Sequence, residues 1–110
     1  MGTLQLFPVV GVNNPLVVKS VTANIDFINV DGPEDTTASV TITGQSWVTA
    51  NSIILAGFGG ITADHGPDDA QVEGLTAYIE NIVPGTGFDI TAYAPRGTWG
   101  NYAVYAIGVI

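Results

Sequence analysis

From Val21 to Phe27 the residues alternate: Val21, Ala23, Ile25 and Phe27 are apolar, while Thr22, Asn24 and Asp26 between them are polar. A period of two marks an extended strand with one buried face, because a helix would group residues three and four apart. The pattern recurs. ASVTIT from Ala38 buries Val40 and Ile42. GLTAYIENIV from Gly74 sets Leu75, Ala77 and Ile79 against Thr76, Tyr78 and Glu80, and GFDITAYA from Gly87 sets Phe88, Ile90 and Ala92 against Asp89, Thr91 and Tyr93. Turn residues separate the runs: DGPEDT from Asp31, Pro84 with Gly85 and Gly87, and APRGTWG from Ala94. SIILAGF from Ser52 is short and apolar on both faces, which predicts a central strand ended by Gly59 and Gly60. The two runs that flank Pro84 predict a hairpin. With NYAVYAIGVI closing the chain, about seven or eight short strands at regular spacing predict an all-β fold. Its architecture is expected to be a single antiparallel β-sandwich, jelly-roll-like, with no long helix, repeat or linker.

Residues 1 to 20, MGTLQLFPVVGVNNPLVVKS, carry one charged side chain, Lys19, and two prolines in an otherwise apolar stretch. Proline removes a ladder donor, so the stretch reads as an extended arm or an edge strand. Leu4, Leu6 and Phe7 are the residues expected to dock such an arm on a partner; a first core strand is the alternative. Residues 21 to 110 then form the β domain, and 110 residues suit one core. The chain starts with Met and has no coiled-coil or fibrous stalk, so it is expected to be short and complete.

Only 11% of the residues are charged, against roughly 25% in ordinary soluble domains. So few charges on a small domain leave apolar surface facing water unless other chains cover it. The closing strand points the same way, because both of its faces are apolar: Tyr102, Val104 and Ala106 on one, Ala103, Tyr105, Ile107 and Val109 on the other. One face fills a core. The second lies either under a loop or in a subunit interface, and Ala103, Tyr105, Ile107 and Val109 are the expected interface of a homo-oligomer. Lys and Arg number 2 against 10 acids, for a net charge of −8, which excludes phosphate-backbone binding and hence nucleic acid as a partner. No apolar run approaches the roughly 20 residues that span a bilayer, and MGTLQLFPVV lacks the basic region of a signal peptide. Membrane insertion is not expected. With no cysteine, neither disulfides nor a thiolate metal site is available.

TADHGPDD, residues 62 to 69, holds three carboxylates and the sole histidine. Asp64, His65, Asp68 and Asp69 could offer oxygens to Ca2+, or an imidazole with carboxylates to a transition metal. The spacing does not fit an EF-hand loop. The plainer reading has Asp64 capping a short helical turn begun by Gly66 and Pro67, with Asp68 and Asp69 facing the helix dipole; no resident metal or cofactor is expected. Catalysis is not expected either. The serines lie in strand-like contexts without GxSxG, and the carboxylates Asp31, Glu34 and Asp35 cluster in a turn with nothing to place them in a cleft. Sugars are held by aromatic faces and planar polar groups, so Trp99, Asn101, Trp47 and Tyr93 are possible glycan contacts, although a tryptophan between glycines also serves as a packed corner.

Four segments in order, ASVTITGQSWVTANSIILAGF, TADHGPDDA, IVPGTGFDITAYA and GTWGNYAVYAIGV, resemble a family of small β-sandwich proteins and domains of tailed bacteriophages. The resemblance covers about residues 38 to 109. It implies a non-enzymatic component of the virion surface, on the head or the tail fibre, oligomeric and often trimeric, in contact with other virion proteins. Asp64 and His65 carry over only as members of the TADH motif, with no ligand attached to them. Two functions follow as expectations: a structural protein that decorates or cements the particle, or a receptor-binding module whose loops at Asp64 to Asp69 and Arg96 to Asn101 meet a host-surface glycan.

Overall fold

The computed structural model describes residues 18–28 and 35–109. Six strands and one short helix follow in chain order: β1 (Val18–Asp26), β2 (Asp35–Ile42), β3 (Ile53–Phe58), α1 (Asp69–Val72), β4 (Thr76–Val83), β5 (Gly87–Thr98) and β6 (Asn101–Val109). The described residues are all-β apart from α1. The strands form two antiparallel three-stranded sheets, ordered β1-β6-β3 and β2-β5-β4. The hairpin around Pro84 is present as β4 and β5. The expected arm, with Leu4, Leu6 and Phe7, lies outside the described residues, as do Asp31 and Glu34.

Alternation decides what each sheet buries. In the first sheet the register sets Ile25 opposite Tyr102, Ala23 opposite Val104 and Val21 opposite Ala106, with Ile54, Ala56 and Phe58 of β3 on the same face. The second sheet contributes Ile42, Phe88, Ile90, Ala92 and Ala94, and these residues join those of the first in one core cluster. Phe27, just past β1, is fully buried, stands edge-on to Tyr102 and donates its N–H to the Gly100 carbonyl at 2.9 Å. Aromatic edges and aliphatic faces thus close the core without any disulfide.

Three expectations about strands change. β1 begins at Val18, ahead of the clean alternation, because Val18, Lys19 and Ser20 find partners in Val109, Gly108 and Ile107 of β6. β3 is an edge strand and not a central one: β6 lies between it and β1. Its doubly apolar sequence instead leaves Ile53 and Leu55 each 69% exposed on the outer face. β5 runs through Pro95, Arg96 and Gly97, a segment with turn composition, to Thr98. There the ladder is irregular, since Thr98 pairs with Asp35 and Tyr93 with Thr37. Four residues of β5 therefore bulge opposite one of β2, and a proline is tolerated where no ladder donor is needed.

Candidate functional site

The TADH segment is a clasp around the turn between β5 and β6. Thr62 Oγ1 donates to the Asn101 carbonyl at 2.6 Å and accepts the N–H groups of Asp64 and His65, so one hydroxyl both shapes the loop and ties it to β6. Asp64 Oδ2 accepts the Asn101 N–H at 2.7 Å and its side-chain amide at 3.3 Å. His65 reaches the other side of the turn: Nε2 lies 2.7 Å from the Trp99 carbonyl, which can only accept, so this nitrogen carries a proton. Nδ1 lies 3.2 Å from Asp69 Oδ2, an ion pair whenever the ring is doubly protonated. The ring stacks on Tyr102, centroids 3.8 Å apart and planes 10° off parallel, and the Tyr102 hydroxyl meets Thr98 Oγ1 at 2.8 Å.

These partners correct the helix-cap expectation. Asp64 does not cap α1; its carboxylate serves Asn101, 37 residues away. Asp68 stands at the N-cap position of α1 but makes no side-chain cap bond, while Asp69 Oδ2 accepts the Gly66 N–H at 2.9 Å. Asp64, His65, Asp68 and Asp69 do not converge: among the described residues no three His, Asp or Glu side chains are placed to hold a metal ion.

Of the four possible glycan contacts, Trp99 and Asn101 share the turn between β5 and β6, while Trp47 and Tyr93 lie elsewhere. Trp47 packs on Gly108 and Phe88, with its indole N–H donated to Gln45 at 2.8 Å. Asn101 is held by Asp64, and Tyr93 projects from the outer face of the second sheet. Trp99 borders a cavity of about 200 Å³ lined with His65, Asp69, Glu73, Thr98 and Tyr102. On the second sheet's outer face, Asn81 and Thr41 each donate to Asp89 at 2.8 Å and hold its carboxyl below the usual carboxylate range. Ser39, Thr91 and Glu80 form a second chain of short bonds beside it. That face carries these hydrogen-bonded polar groups beside the exposed rings of Tyr78 and Tyr93.

The outer face of the first sheet differs from it. Register places Val18, Val109 and Ile53 in one row, Ser20, Ile107 and Leu55 in the next, Thr22, Tyr105 and Gly57 in the third, and Asn24 with Ala103 in the fourth. No carboxylate stands in these rows; the first, Asp26, comes one row further along. Tyr105 lies over Gly57, where a Cβ would come 2.5 Å from the phenolic oxygen. Val18 is 54% exposed, and Tyr105 and Ile107 are each more than a third exposed. Ala103, Tyr105, Ile107 and Val109 therefore occupy one surface, and Val18, Ile53 and Leu55, which sequence reasoning did not place there, extend it. The signal was the doubly apolar run at Ile53 to Leu55. No family model, curated protein or solved structure matches the chain.

Proposed function

We propose that this chain is a non-enzymatic structural component of a tailed-bacteriophage particle. It is exposed on the virion surface, assembles with itself, as a trimer in the reading the resemblance favours, and touches other virion proteins. In this reading the two sheets stack as an antiparallel, jelly-roll-like β-sandwich. Residues from both inner faces in one core cluster support that architecture.

The observation that carries the assembly reading is the carboxylate-free apolar face of β1-β6-β3. A chain with net charge −8 repels its own copies wherever acids face each other, and this face offers contact without that penalty. Burying each Leu or Ile side chain there contributes about 1.5–3 kcal/mol. The non-enzymatic reading draws on His65, both of whose ring nitrogens are engaged in holding the loop, at the Trp99 carbonyl and Asp69. Light scattering on the purified chain tests the assembly: the mass should be a multiple of 11.4 kDa, and Ile107→Asp should reduce it to one copy with the circular dichroism spectrum kept. A parent chain that is monomeric at high micromolar concentration sinks the reading.

The second reading, a glycan-recognising module of a tail fibre, is favoured by Trp99, 40% exposed beside a cavity edged by the carboxylates of Asp69 and Glu73. An aromatic face with planar polar groups is the chemistry that sugars select. Nuclear magnetic resonance titration with host-surface oligosaccharides distinguishes it, through shifts confined to Trp99, Glu73 and their neighbours.

A further inference from the structure

We infer that the outer face of β1-β6-β3 receives residues 1–17 of a neighbouring copy, so that the amino-terminal segment is the strap of the assembly. This rests on the reading above that the face is an assembly surface.

Symmetry supplies the first argument. A flat face that packs on its own counterpart is an isologous contact and closes as a twofold dimer. A ring of three requires a heterologous contact, in which the face meets a different surface of the same chain. The second surface must be apolar and uncharged to match the first. Elsewhere on the described surface the exposed large apolar side chains are Ile28, Ile61, Val72 and Trp99 in loops and α1, and Tyr78, Ile82, Val83 and Tyr93 on β4 and β5, where Glu80 and Asp89 stand among them. Residues 1–17, MGTLQLFPVVGVNNPLV, contain no Asp, Glu, Lys or Arg and hold Leu4, Leu6, Phe7, Val9, Val10 and Val12.

Position is the second argument. β1 enters its sheet at Val18, and Val18 is itself in the first apolar row, beside Val109 and Ile53. The segment is therefore joined to the domain at the apolar end of the face. Seventeen extended residues reach up to roughly 56–61 Å, about the longest principal extent of a second copy, 56 Å.

The face is also shaped to take side chains. Beyond Tyr105 the surface drops into a hollow of about 410 Å³ bordered by Thr22, Asn24, Ala103, Gly59, Gly60 and Ile61. Small residues on its floor leave room for a bulky apolar side chain from outside, and Phe7 is the aromatic residue of the segment. Pro8 and Pro15 lack the N–H that a regular ladder needs, so the proposed contact is side chain on face.

The chain has no cysteine, which makes disulfide trapping clean. Copies bearing Leu4→Cys, Leu6→Cys or Phe7→Cys are each mixed with copies bearing Leu55→Cys, allowed to exchange and oxidised. A disulfide between the two kinds of copy is expected from at least one arm position, in excess of the Leu55→Cys homodimer. In the full chain, Leu6→Asp with Phe7→Asp should lower the scattering mass to 11.4 kDa. Retention of the parent mass by that double variant overturns the inference, and so does trapping of Leu55→Cys copies only with each other, which makes the contact face on face. A disulfide that forms within a Leu6→Cys/Leu55→Cys chain but not between mixed copies places the segment on its own sheet and also overturns it. In each of these results the parent remains an oligomer, whereas a monomeric parent instead removes the assembly reading itself.

Discussion

The carboxylate of Asp64 occupies the space where residue 100 would carry a side chain: a Cβ built on Gly100 comes 2.7 Å from Asp64 Oδ2. Gly100 has φ of +74°, so its backbone is left-handed as well. Two separate demands thus fall on one residue. The turn must bend in a way that L side chains resist, and it must leave room for the oxygen that receives the Asn101 N–H.

Gly100→Ala should therefore destabilise the fold by about 2 kcal/mol, from left-handed strain together with displacement of Asp64. Asp64→Ala should cost about 1–3 kcal/mol by leaving a part-buried N–H without its acceptor. The double variant should be less destabilised than the sum of the two, because removing the Asp64 carboxylate relieves the contacts at 2.7 and 2.9 Å and leaves the strain and the 3.1 Å approach to the Cβ of residue 64. Urea melts of the four proteins check this; strict additivity would separate the two residues energetically.

His65 is fastened by geometry that no isosteric apolar residue reproduces. His65→Phe keeps a flat ring over Tyr102 but removes the bonds to Trp99 and Asp69. The expected loss is about 1–2 kcal/mol. Amide exchange at Thr62 to Gly66 and at Asn101 should accelerate far more than exchange in the centre of β5. Equal acceleration throughout would mean that the loop is not a separable clasp.

The strands were legible in the sequence because their information is local. The alternation at Val21 to Phe27, the turn at Pro84 to Gly87 and the hairpin it joins all follow from residues within ten positions of one another. The clasp was not legible for the converse reason: Asp64 and His65 find Asn101 and Trp99 more than thirty residues later. From sequence alone, a carboxylate beside Gly66 and Pro67 looks like a helix cap. The edge position of β3 was hidden for a third reason. Apolar residues on both faces predict cover, and the pattern is the same whether that cover is a neighbouring layer of the fold or another chain.

Asp89 gives the outer face of the second sheet a pH dependence of known sign. Bonds from Asn81 and Thr41 depress its folded pKa. Its contribution is thus fully present above the unfolded value, about 3.9, and is lost as pH falls through the lower folded value. Asn81→Gly removes the first bond while keeping a residue suited to the φ of +53° at this position. The variant should be less stable than the parent by about 1 kcal/mol at neutral pH, once solvent screening is allowed for. That gap should narrow on acidification below about pH 4 as Asp89 protonates in both proteins. Urea midpoints across this range decide it, since a gap independent of pH would assign the loss to backbone entropy alone.

Gly57 and Tyr105 make a cross-strand pair in which the ring replaces the missing side chain. The three heavy atoms nearest an added methyl at Gly57 all belong to this ring, which is itself partly exposed. Gly57→Ala should cost about 1 kcal/mol by displacing the ring. In a Tyr105→Ala background the same change should be neutral or stabilising, because alanine is the better strand residue. Melts at one fixed protein concentration give the coupling between the two sites. A coupling near zero would show that the ring does not depend on Gly57. A coupling near 1 kcal/mol would explain why a glycine stands in the middle of an apolar strand: it lets Tyr105 lie flat and keeps the third row of the face level with the rows of Leu55 and Ile53.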